Sequence, residues 1–256
     1  GAGGPARPRR LKKLGPVRIV TFNVKHGSVT DGQIDNRLLA RTCAGLEADI
    51  LALQEVDRRA TRSGFADQMR LVARATGLAA AFGEAARRGP LRRYGNVLLV
   101  RGALSEVEVV GLPRPEDGEF RVAVLARVRL DATGDGGATP PALSVAATHL
   151  SFRKSEGPAQ LRAVVELLDR RPPPRILLGD LNLAPELVEP TLAGAGYQLA
   201  ATGPTFPAKT PRTRIDYVAV SGLEVVSADA PELSLSDHRA VVAEVAVGSD
   251  QSAATG

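Results

Sequence analysis

The sequence predicts an α/β fold in which two layers of β-sheet are flanked by helices. A series of segments is rich in apolar and β-branched residues, and several are continuous apolar runs, as is typical of strands buried on both faces. Other segments carry apolar residues at helical spacing and are expected to cover the outer faces of the sheets. The 256 residues, 44% of them apolar, are enough to bury the core of one domain.

The predicted elements run along the whole chain. The strands are residues 17–22, 50–54, 96–101, 104–110, 120–130, 142–148, 175–179, 215–220 and 240–247. The helices are residues 37–46, 66–76 and 158–170, and the last of them has the clearest apolar stripe. Residues 131–141 contain Gly, Thr and Pro and are expected to form a hairpin loop between two long strands.

Two tails are predicted around a single domain at residues 16–248. Residues 1–15 are rich in Gly, Pro, Arg and Lys, so a flexible basic arm is expected there, and residues 249–256 are expected to be disordered. The arm carries five basic residues and no acid, which equals the net charge of +5 of the whole chain. The rest of the chain is therefore neutral. The arm is either a solvated leader or a contact for nucleic acid or anionic lipid.

Composition excludes several classes of protein. No apolar run approaches the roughly 20 residues that span a bilayer, so a soluble protein is expected, cytoplasmic or exported if a signal segment lies upstream. Cys43 is the sole cysteine, and its place in a helical pattern predicts a buried thiol. With one cysteine and three histidines, a structural zinc site is not expected. We expect a monomer.

Polar residues stand at the ends of the predicted strands. A rigid strand fixes the backbone there while the adjoining loop leaves the side chain accessible, so strand ends are where sheet proteins build sites. The clusters are Asn23, Gln54-Glu55, Tyr94-Gly95-Asn96, His149, Gly179-Asp180-Leu181-Asn182, Asp216-Tyr217 and Ser236-Asp237-His238. Each cluster alone is compatible with a turn, a helix cap or a satisfied buried side chain. Together they predict one polar site.

In this order the motifs resemble the endonuclease/exonuclease/phosphatase superfamily, which includes deoxyribonuclease I, exonuclease III-type repair enzymes, sphingomyelinases and inositol polyphosphate 5-phosphatases. The matching stretches are Thr21-Phe22-Asn23, Leu53-Gln54-Glu55-Val56-Asp57, Tyr94-Gly95-Asn96, Thr148-His149-Leu150, Gly179-Asp180-Leu181-Asn182, Ile215-Asp216-Tyr217 and Ser236-Asp237-His238. The turn Val24-Lys25-His26-Gly27 is similar to that of the compact bacterial hydrolases of this group. The resemblance implies a four-layer α-β-β-α sandwich of two mixed sheets.

The resemblance also implies a divalent metal. It assigns Asn23 and Glu55 as metal-binding residues and places the Asp237 carboxylate near the metal or its waters. Mg²⁺ suits such a site because it takes one or two carboxylates together with waters and substrate oxygens. Mn²⁺ is a possible substitute. Glu55 could instead cap the following segment, and Asn23 could close a turn.

The implied catalytic residues include two histidines. The resemblance has Asp180 position or deprotonate the attacking water and Asn182 hold a phosphate oxygen. His238 would act on the phosphate or the water, with Asp216 fixing its tautomer. His149 would donate to a phosphate oxygen or to the leaving group.

Further residues are expected to contact substrate. The resemblance places Tyr94 and Asn96 in the active site, and Arg121 could brace a catalytic carboxylate, although Phe120 stands where relatives carry Pro. His26 either touches substrate or organises the first loop. A basic loop around Gly89-Pro90, with Arg92 and Arg93 at its end, could grip a phosphate or could be solvated; we favour substrate contact.

These observations predict a Mg²⁺-dependent hydrolase of a phosphomonoester or phosphodiester. A small-molecule or lipid head-group substrate is favoured, because the chain outside the arm is neutral and contains no Trp. The alternative within catalysis is an endonuclease or exonuclease using the same site on nucleic acid. A catalytically silent binding module is the alternative from another class, and the presence of every expected acid, amide and imidazole disfavours it.

Overall fold

The computed structural model describes residues 15–29, 32–88, 92–132 and 140–247, without the side chains of residues 87 and 88. The predicted C-terminal tail and the predicted basic arm, apart from Gly15, lie outside these residues. The same is true of most of the predicted hairpin loop at 131–141 and of the tip of the basic loop at 89–91.

The described chain alternates strands and helices. In chain order the elements are β1 (Val17–Asn23), α1 (Asn36–Gly45), β2 (Ile50–Arg58), α2 (Gln68–Thr76), β3 (Ala79–Arg88), β4 (Arg92–Val100), β5 (Gly102–Gly111), β6 (Val122–Leu130), β7 (Leu143–His149), α3 (Gly157–Asp169), β8 (Arg175–Asp180), α4 (Pro185–Gly194), β9 (Gln198–Leu199), β10 (Asp216–Ser221), β11 (Glu224–Asp229) and β12 (Val241–Ala246).

The strands form two six-stranded mixed sheets. The first has the order β11-β12-β1-β2-β4-β3, and the second has the order β5-β6-β7-β8-β10-β9. Apolar side chains from both sheets, such as Ile19, Leu98, Val145 and Val218, pack together in one buried cluster between them. The two sheets are therefore stacked face to face.

Helices cover the outer face of each sheet. Leu39 of α1 and Val72 of α2 pack in a cluster with residues of β1, β2 and β4. Leu161 and Val164 of α3 and Leu192 of α4 pack with residues of β7, β8 and β10. These contacts confirm the predicted four-layer α-β-β-α sandwich, in which β1, β7 and β8 are almost entirely buried.

The helices begin where their sequences provide a cap. The Asp35 side chain accepts hydrogen bonds from Arg37 N and Leu38 N at the start of α1, and Asp67 accepts one from Arg70 N at the start of α2. Gly77 ends α2 in the left-handed conformation, with φ of 72°. Cys43 lies buried on α1, as predicted.

Four elements were not predicted. β3 reads Ala-Ala-Ala-Phe-Gly-Glu-Ala-Ala-Arg-Arg, a composition with little β-propensity, and it forms a strand because it pairs with β4 along its length. α4 contains Pro190, and because proline is unfavourable inside a helix, the sequence did not predict a helix there. β9 has two residues, and β11 is largely exposed, so neither has a buried apolar run.

The strand registers bring the predicted polar clusters to one end of the sandwich. β1 and β2 are parallel and pair Asn23 with Gln54, and β7 and β8 are parallel and pair His149 with Asp180. β10 runs antiparallel to β8 and pairs Asp216 with Asp180. β12 is antiparallel to β1, so the segment before it returns to the same end.

Gly95 allows a close approach between backbones. The position of a Cβ atom on Gly95 would lie 1.9 Å from the carbonyl oxygen of Gly83 on β3. The register of β3 against β4 shifts between Glu84 and Ala86, next to this contact. The group that approaches Gly95 is thus a neighbouring strand, and the absence of a side chain permits the bulge beside the site.

Replacing Gly95 by Ala should destabilise the fold, because backbone atoms of β3 would have to move. We expect the free energy of unfolding to fall by about 3 kcal/mol. Urea denaturation monitored by circular dichroism measures the change. Gly194→Ala is the matched control, because a Cβ there meets nothing within 4 Å. Equal midpoints for the two variants would contradict the close contact.

Candidate active site

The buried carboxylate of Asp180 lies at the centre of the candidate site. Its Oδ2 accepts a hydrogen bond from Asn23 Nδ2 at 2.9 Å and lies 3.3 Å from His149 Nε2 and 3.8 Å from His238 Nε2. Its Oδ1 accepts one from the backbone N of Asn182 at 3.0 Å. Residues from four separate strand ends or loops therefore meet at one carboxylate.

Asn182 is held by the loop that follows β8. Its backbone has φ of 50°, a left-handed conformation that Asn tolerates better than most residues. Its side-chain Nδ2 donates to the carbonyl oxygen of Leu150 at 3.0 Å, which ties this loop to the one after β7. Gly179 of the same motif has φ of 154°, and a Cβ there would meet the backbone of Thr148 on β7, so close strand packing accounts for the Gly and the turn accounts for the Asn.

His238 and Asp216 form a buried pair. His238 Nδ1 lies 3.0 Å from Asp216 Oδ2, and the Thr205 hydroxyl donates to the same oxygen at 2.6 Å. The ring of Phe206 packs against the imidazole with centroids 4.9 Å apart. Asp216 thus fixes the proton on Nδ1 and turns Nε2 toward Asp180, as the sequence predicted for this pair.

The environment shifts the pKa values of these groups in different directions. Burial, and then the nearby Asp216 charge, raises the pKa of Asp180 to about 7. Burial disfavours the charged form of His238, but Asp216, Asp180 and Asp237 outweigh it and raise the pKa of His238 to about 9. At neutral pH the site therefore holds an imidazolium next to a carboxyl group near its titration point.

His149 is kept neutral. Burial, followed by the charges of Arg121 and His238, lowers the pKa of His149 well below its usual value of 6.5. Its Nε2 lies 3.3 Å from Asp180 Oδ2, and its buried Nδ1 has no hydrogen-bond partner within the described chain. A neutral His149 with its proton on Nε2 would be placed to donate to Asp180.

Glu55 lies in a distorted part of β2. The pairing of β2 with β4 shifts register between Leu53 and Val56, and Glu55 adopts φ of 59°. Such a bulge redirects the side chain. Glu55 Oε1 accepts from Asn23 Nδ2 at 3.1 Å. Asn23 thus joins Glu55 to Asp180 through its amide nitrogen, while its Oδ1 accepts from the backbone N of Lys25.

His26 faces Glu55 with both ring nitrogens. Its Nδ1 donates to the carbonyl oxygen of Glu55 at 3.0 Å, so a neutral His26 presents the Nε2 lone pair 3.3 Å from Glu55 Oε2. Burial, and then the charge of Arg62, lowers the pKa of His26. A lone pair and a carboxylate oxygen that face each other can share a proton or a metal cation, so the residues here fit the predicted metal. Through its Nδ1, His26 ties the first loop to β2.

Two groups of residues can therefore hold a cation. One is Glu55 with the acceptors next to it, and it is partly accessible, with 23% of the Glu55 side chain exposed. The other consists of Asp180, Asp216 and His238, whose ligand atoms lie within 4.8 Å of one another. In the second group Asp216 already accepts from Thr205 and His238, which leaves it fewer free lone pairs.

Asp237 lies apart from these carboxylates. Its Oδ2 is 2.6 Å from Lys25 Nζ, and both side chains are partly exposed. The preceding Ser236 donates through Oγ to the carbonyl oxygen of Asn23 at 2.6 Å and accepts from His238 N at 3.2 Å. The Lys25–Asp237 ion pair is a feature of the site rim that the motifs did not reveal.

The remaining predicted residues surround this centre. Asn96 is buried on β4, and its Nδ2 donates to Val122 O of the other sheet at 3.2 Å. Arg121 is buried, donates to Glu119 Oε2 at 2.7 Å, and has a buried Nε with no partner. Tyr94 packs 5.7 Å from the His26 ring, and burial raises its pKa. Asn96 is thus used as a link between the sheets.

A cleft of about 550 Å³ opens beside Glu55. Arg92 and Arg93 line it, in agreement with their expected position next to the site. Arg93 Nε lies 3.3 Å from Glu84, so its charge is already paired. The sequence reasoning missed Arg62, which holds the fully buried Asp57 with two hydrogen bonds of 2.7 and 2.8 Å. Asp57 stood within the Gln-Glu-Val-Asp motif, which was the available signal.

The strand order and layers are those of a deoxyribonuclease I-like four-layer sandwich, with acids, amides and imidazoles gathered at one end. The chain belongs to the endonuclease/exonuclease/phosphatase family, whose model matches residues 20–238. Members of this family act on phosphate ester bonds, and this chain is an enzyme of that class.

Solved structures share the fold. An endonuclease/exonuclease/phosphatase from Beutenbergia cavernae has a TM-score of 0.70 and 22% identity, covering 91% of this chain and 72% of that one. One from Bacteroides vulgatus has a TM-score of 0.70 and 18% identity, covering 91% and 99%. The human Nocturnin catalytic domain has a TM-score of 0.65 and 19% identity, covering 92% and 96%.

No curated protein sequence matches the chain significantly. None of the helices in the described part of the chain has the length and apolar character that spanning a bilayer requires.

The pKa of His238 predicts how stability depends on pH. The folded protein holds this proton more tightly than the unfolded chain, so the stabilisation is complete below pH 6.5 and is lost as the pH rises through about 9. It amounts to about 3 kcal/mol. Urea unfolding in EDTA should therefore show the stability advantage of the wild type over His238→Gln shrinking across that range.

His26→Gln is the control for this measurement. The pKa of His26 is lowered, so its titration lies below pH 6.5 and cannot cause a loss between pH 6.5 and about 9. A stability difference between the wild type and His238→Gln that stays constant with pH would contradict the charged pair.

Proposed function

We propose that the protein is a Mg²⁺-dependent phosphoesterase that hydrolyses a small-molecule or lipid head-group ester, with Mn²⁺ as a possible substitute. The observation that carries the proposal is the His238–Asp216 pair with its free Nε2 turned toward Asp180, 3.8 Å away. A cationic imidazole and a titratable carboxylate side by side supply an acid and a base at neutral pH.

The donors near Glu55 fit a hard cation. They are the Glu55 carboxylate and the neutral His26 imidazole, and the described residues offer no thiolate there. The Asn23 amide turns its Nδ2 toward Glu55 and its Oδ1 toward Lys25 N, so it orients the carboxylate. Glu55 would hold the ion, with Asn23 fixing the carboxylate. The ion would neutralise phosphate oxygens and make a bound water more acidic.

Asp180 is the proposed acceptor of the water proton. Its pKa of about 7 leaves a large share ionised at neutral pH while keeping it basic enough to take a proton. Asn23, His149 and the backbone N of Asn182 donate to it or lie within reach, which fixes the carboxylate in one orientation.

His238 is the proposed contact for the phosphate. As an imidazolium held by Asp216, it offers an Nε2 proton to an oxygen that gains negative charge in the transition state. Arg121 Nε is buried and has no hydrogen-bond partner within the described chain, so it is a candidate to brace a catalytic carboxylate. The Asn182 Nδ2 group already donates to Leu150 O and would have to release it to hold a phosphate oxygen. The Lys25–Asp237 pair would set the charge at the rim.

The alternatives make separate demands. A nuclease would use the same residues, but the chain outside the basic arm is neutral, and Arg93 and Arg62 are paired with acids. In a silent binding module, burying Asp180, Asp216 and His238 together would cost free energy without serving catalysis. Both alternatives are outcomes of the activity experiment below.

Removing the Glu55 charge should weaken metal binding. Isothermal titration calorimetry should detect binding of Mg²⁺ and of Mn²⁺ to the wild type. The affinity of Glu55→Gln for either ion should be at least about tenfold lower. Glu166→Gln, an exposed carboxylate on α3, is the matched control. Unchanged binding in Glu55→Gln would exclude Glu55 as a ligand.

Removing the imidazole should abolish turnover. With Mg²⁺ present, His238→Gln should hydrolyse bis(p-nitrophenyl) phosphate about 10²–10⁴ times more slowly than the wild type. Glu224→Gln, an exposed change on β11, should keep full activity. Nicking of supercoiled plasmid by the wild type but not by His238→Gln would favour the nuclease. If the wild type cleaves no phosphate ester, the protein is a binding module.

A further inference from the structure

The cleft beside Glu55 has the dimensions of a ligand site. Its volume of about 550 Å³ lies within the range of small-molecule pockets. Glu55 and His26 form one side, so a group attached to a phosphate at Glu55 would extend into this space. A substituent of the substrate has room here.

Most charges of the cleft are already neutralised. Arg62 is bound to Asp57, Arg93 lies against Glu84, and Glu119 accepts from Arg121. Arg92 also lines the cleft and is exposed, and within the described chain it has no carboxylate partner. Among the described residues, the cleft therefore has no excess of free cations that would bind a polyanion. Its selectivity must come largely from shape and surface chemistry.

Several of the side chains that line the cleft carry an aromatic ring or a guanidinium group. The Arg62 guanidinium lies over the Tyr94 ring at 5.5 Å, and Tyr94 packs tilted against the His26 ring at 5.7 Å. Guanidinium and aromatic planes are the surfaces on which other flat groups stack. The cleft thus presents stacking faces along its length.

Phe65 extends this surface at the rim. Its side chain is 62% exposed, and the Arg92 guanidinium lies 6.0 Å from its ring centroid. Phe65 adopts φ of 61°, and its backbone N donates to Ala60 O at 2.9 Å, which closes a tight turn. A large apolar ring is thereby held in water, in a backbone conformation that costs free energy for Phe.

We propose that Phe65 and Arg92 form a stacking subsite for the nucleobase of a nucleoside phosphate ester. This rests on the proposed function, because the phosphate would lie at Glu55 and His238. A flat heterocycle covers the exposed phenyl face, and the Arg92 guanidinium adds a cation to the stack. The net charge of zero outside the arm agrees with a single nucleotide unit rather than a long nucleic acid.

Binding of AMP compared with ribose 5-phosphate tests the subsite. The two probes differ by the base alone, and His238→Gln in the full chain prevents turnover. In Mg²⁺, isothermal titration should show AMP bound about tenfold or more tightly than ribose 5-phosphate. Adding Phe65→Ala should remove this advantage, and Phe65→Trp should keep it.

Phe152→Ala is the matched control. Phe152 is exposed to a similar degree, 67%. Within the described chain its ring has no cation–π contact with a residue that lines the cleft, whereas the Phe65 ring lies next to Arg92, so the AMP advantage should persist in Phe152→Ala. Equal affinities for AMP and ribose 5-phosphate would overturn the subsite, as would an advantage that survives Phe65→Ala. An equally large advantage for glycerophosphocholine would also overturn it. Hydrolysis of bis(p-nitrophenyl) phosphate by the wild type decides the proposed function separately, whatever AMP does.

Discussion

The burial of the Asp180 carboxylate is the constraint on which the rest of the site depends. A buried charge is costly unless donors surround it, and the donors to Asp180 come from β1, from the end of β7 and from the loop after β8. They reach it because β7 and β8 are paired in register and because the two sheets are stacked. The core of the sandwich thus fixes the position of a single carboxylate.

Asp216 lies directly opposite Asp180 on the neighbouring strand, and the repulsion between them separates their roles. Asp216 accepts hydrogen bonds from Thr205 and His238, whereas the pKa of Asp180 is raised to about 7. His238 lies between the two acids and is held as a cation. These two strands and the segment before β12 therefore bring together the carboxylate and the cationic imidazole that we propose as base and charged donor in phosphate ester hydrolysis.

Strained backbone is concentrated around this centre. His26, Glu55, Asn182 and Ser236 all have positive φ, between 50° and 71°. Each of these backbone conformations costs free energy, and no local interaction compensates for it. The packed sheets around the site hold the four residues in place. The same strain at Phe65 lies on the rim of the adjacent cleft, which extends the arrangement from the reacting atoms to the neighbouring surface.

The sequence by itself determined the buried strands, the amphipathic helices and the polar residues at strand ends, because apolar periodicity and strand-end chemistry are local. The His238–Asp216 pair was also predictable, through the order of the motifs. Tertiary structure alone decided β3, whose Ala-rich segment becomes a strand by pairing with β4, and the Arg62–Asp57 and Lys25–Asp237 ion pairs. These depend on neighbours brought together by sheet register and by the bulge at Glu55, and no local pattern encodes which distant side chain will be the partner.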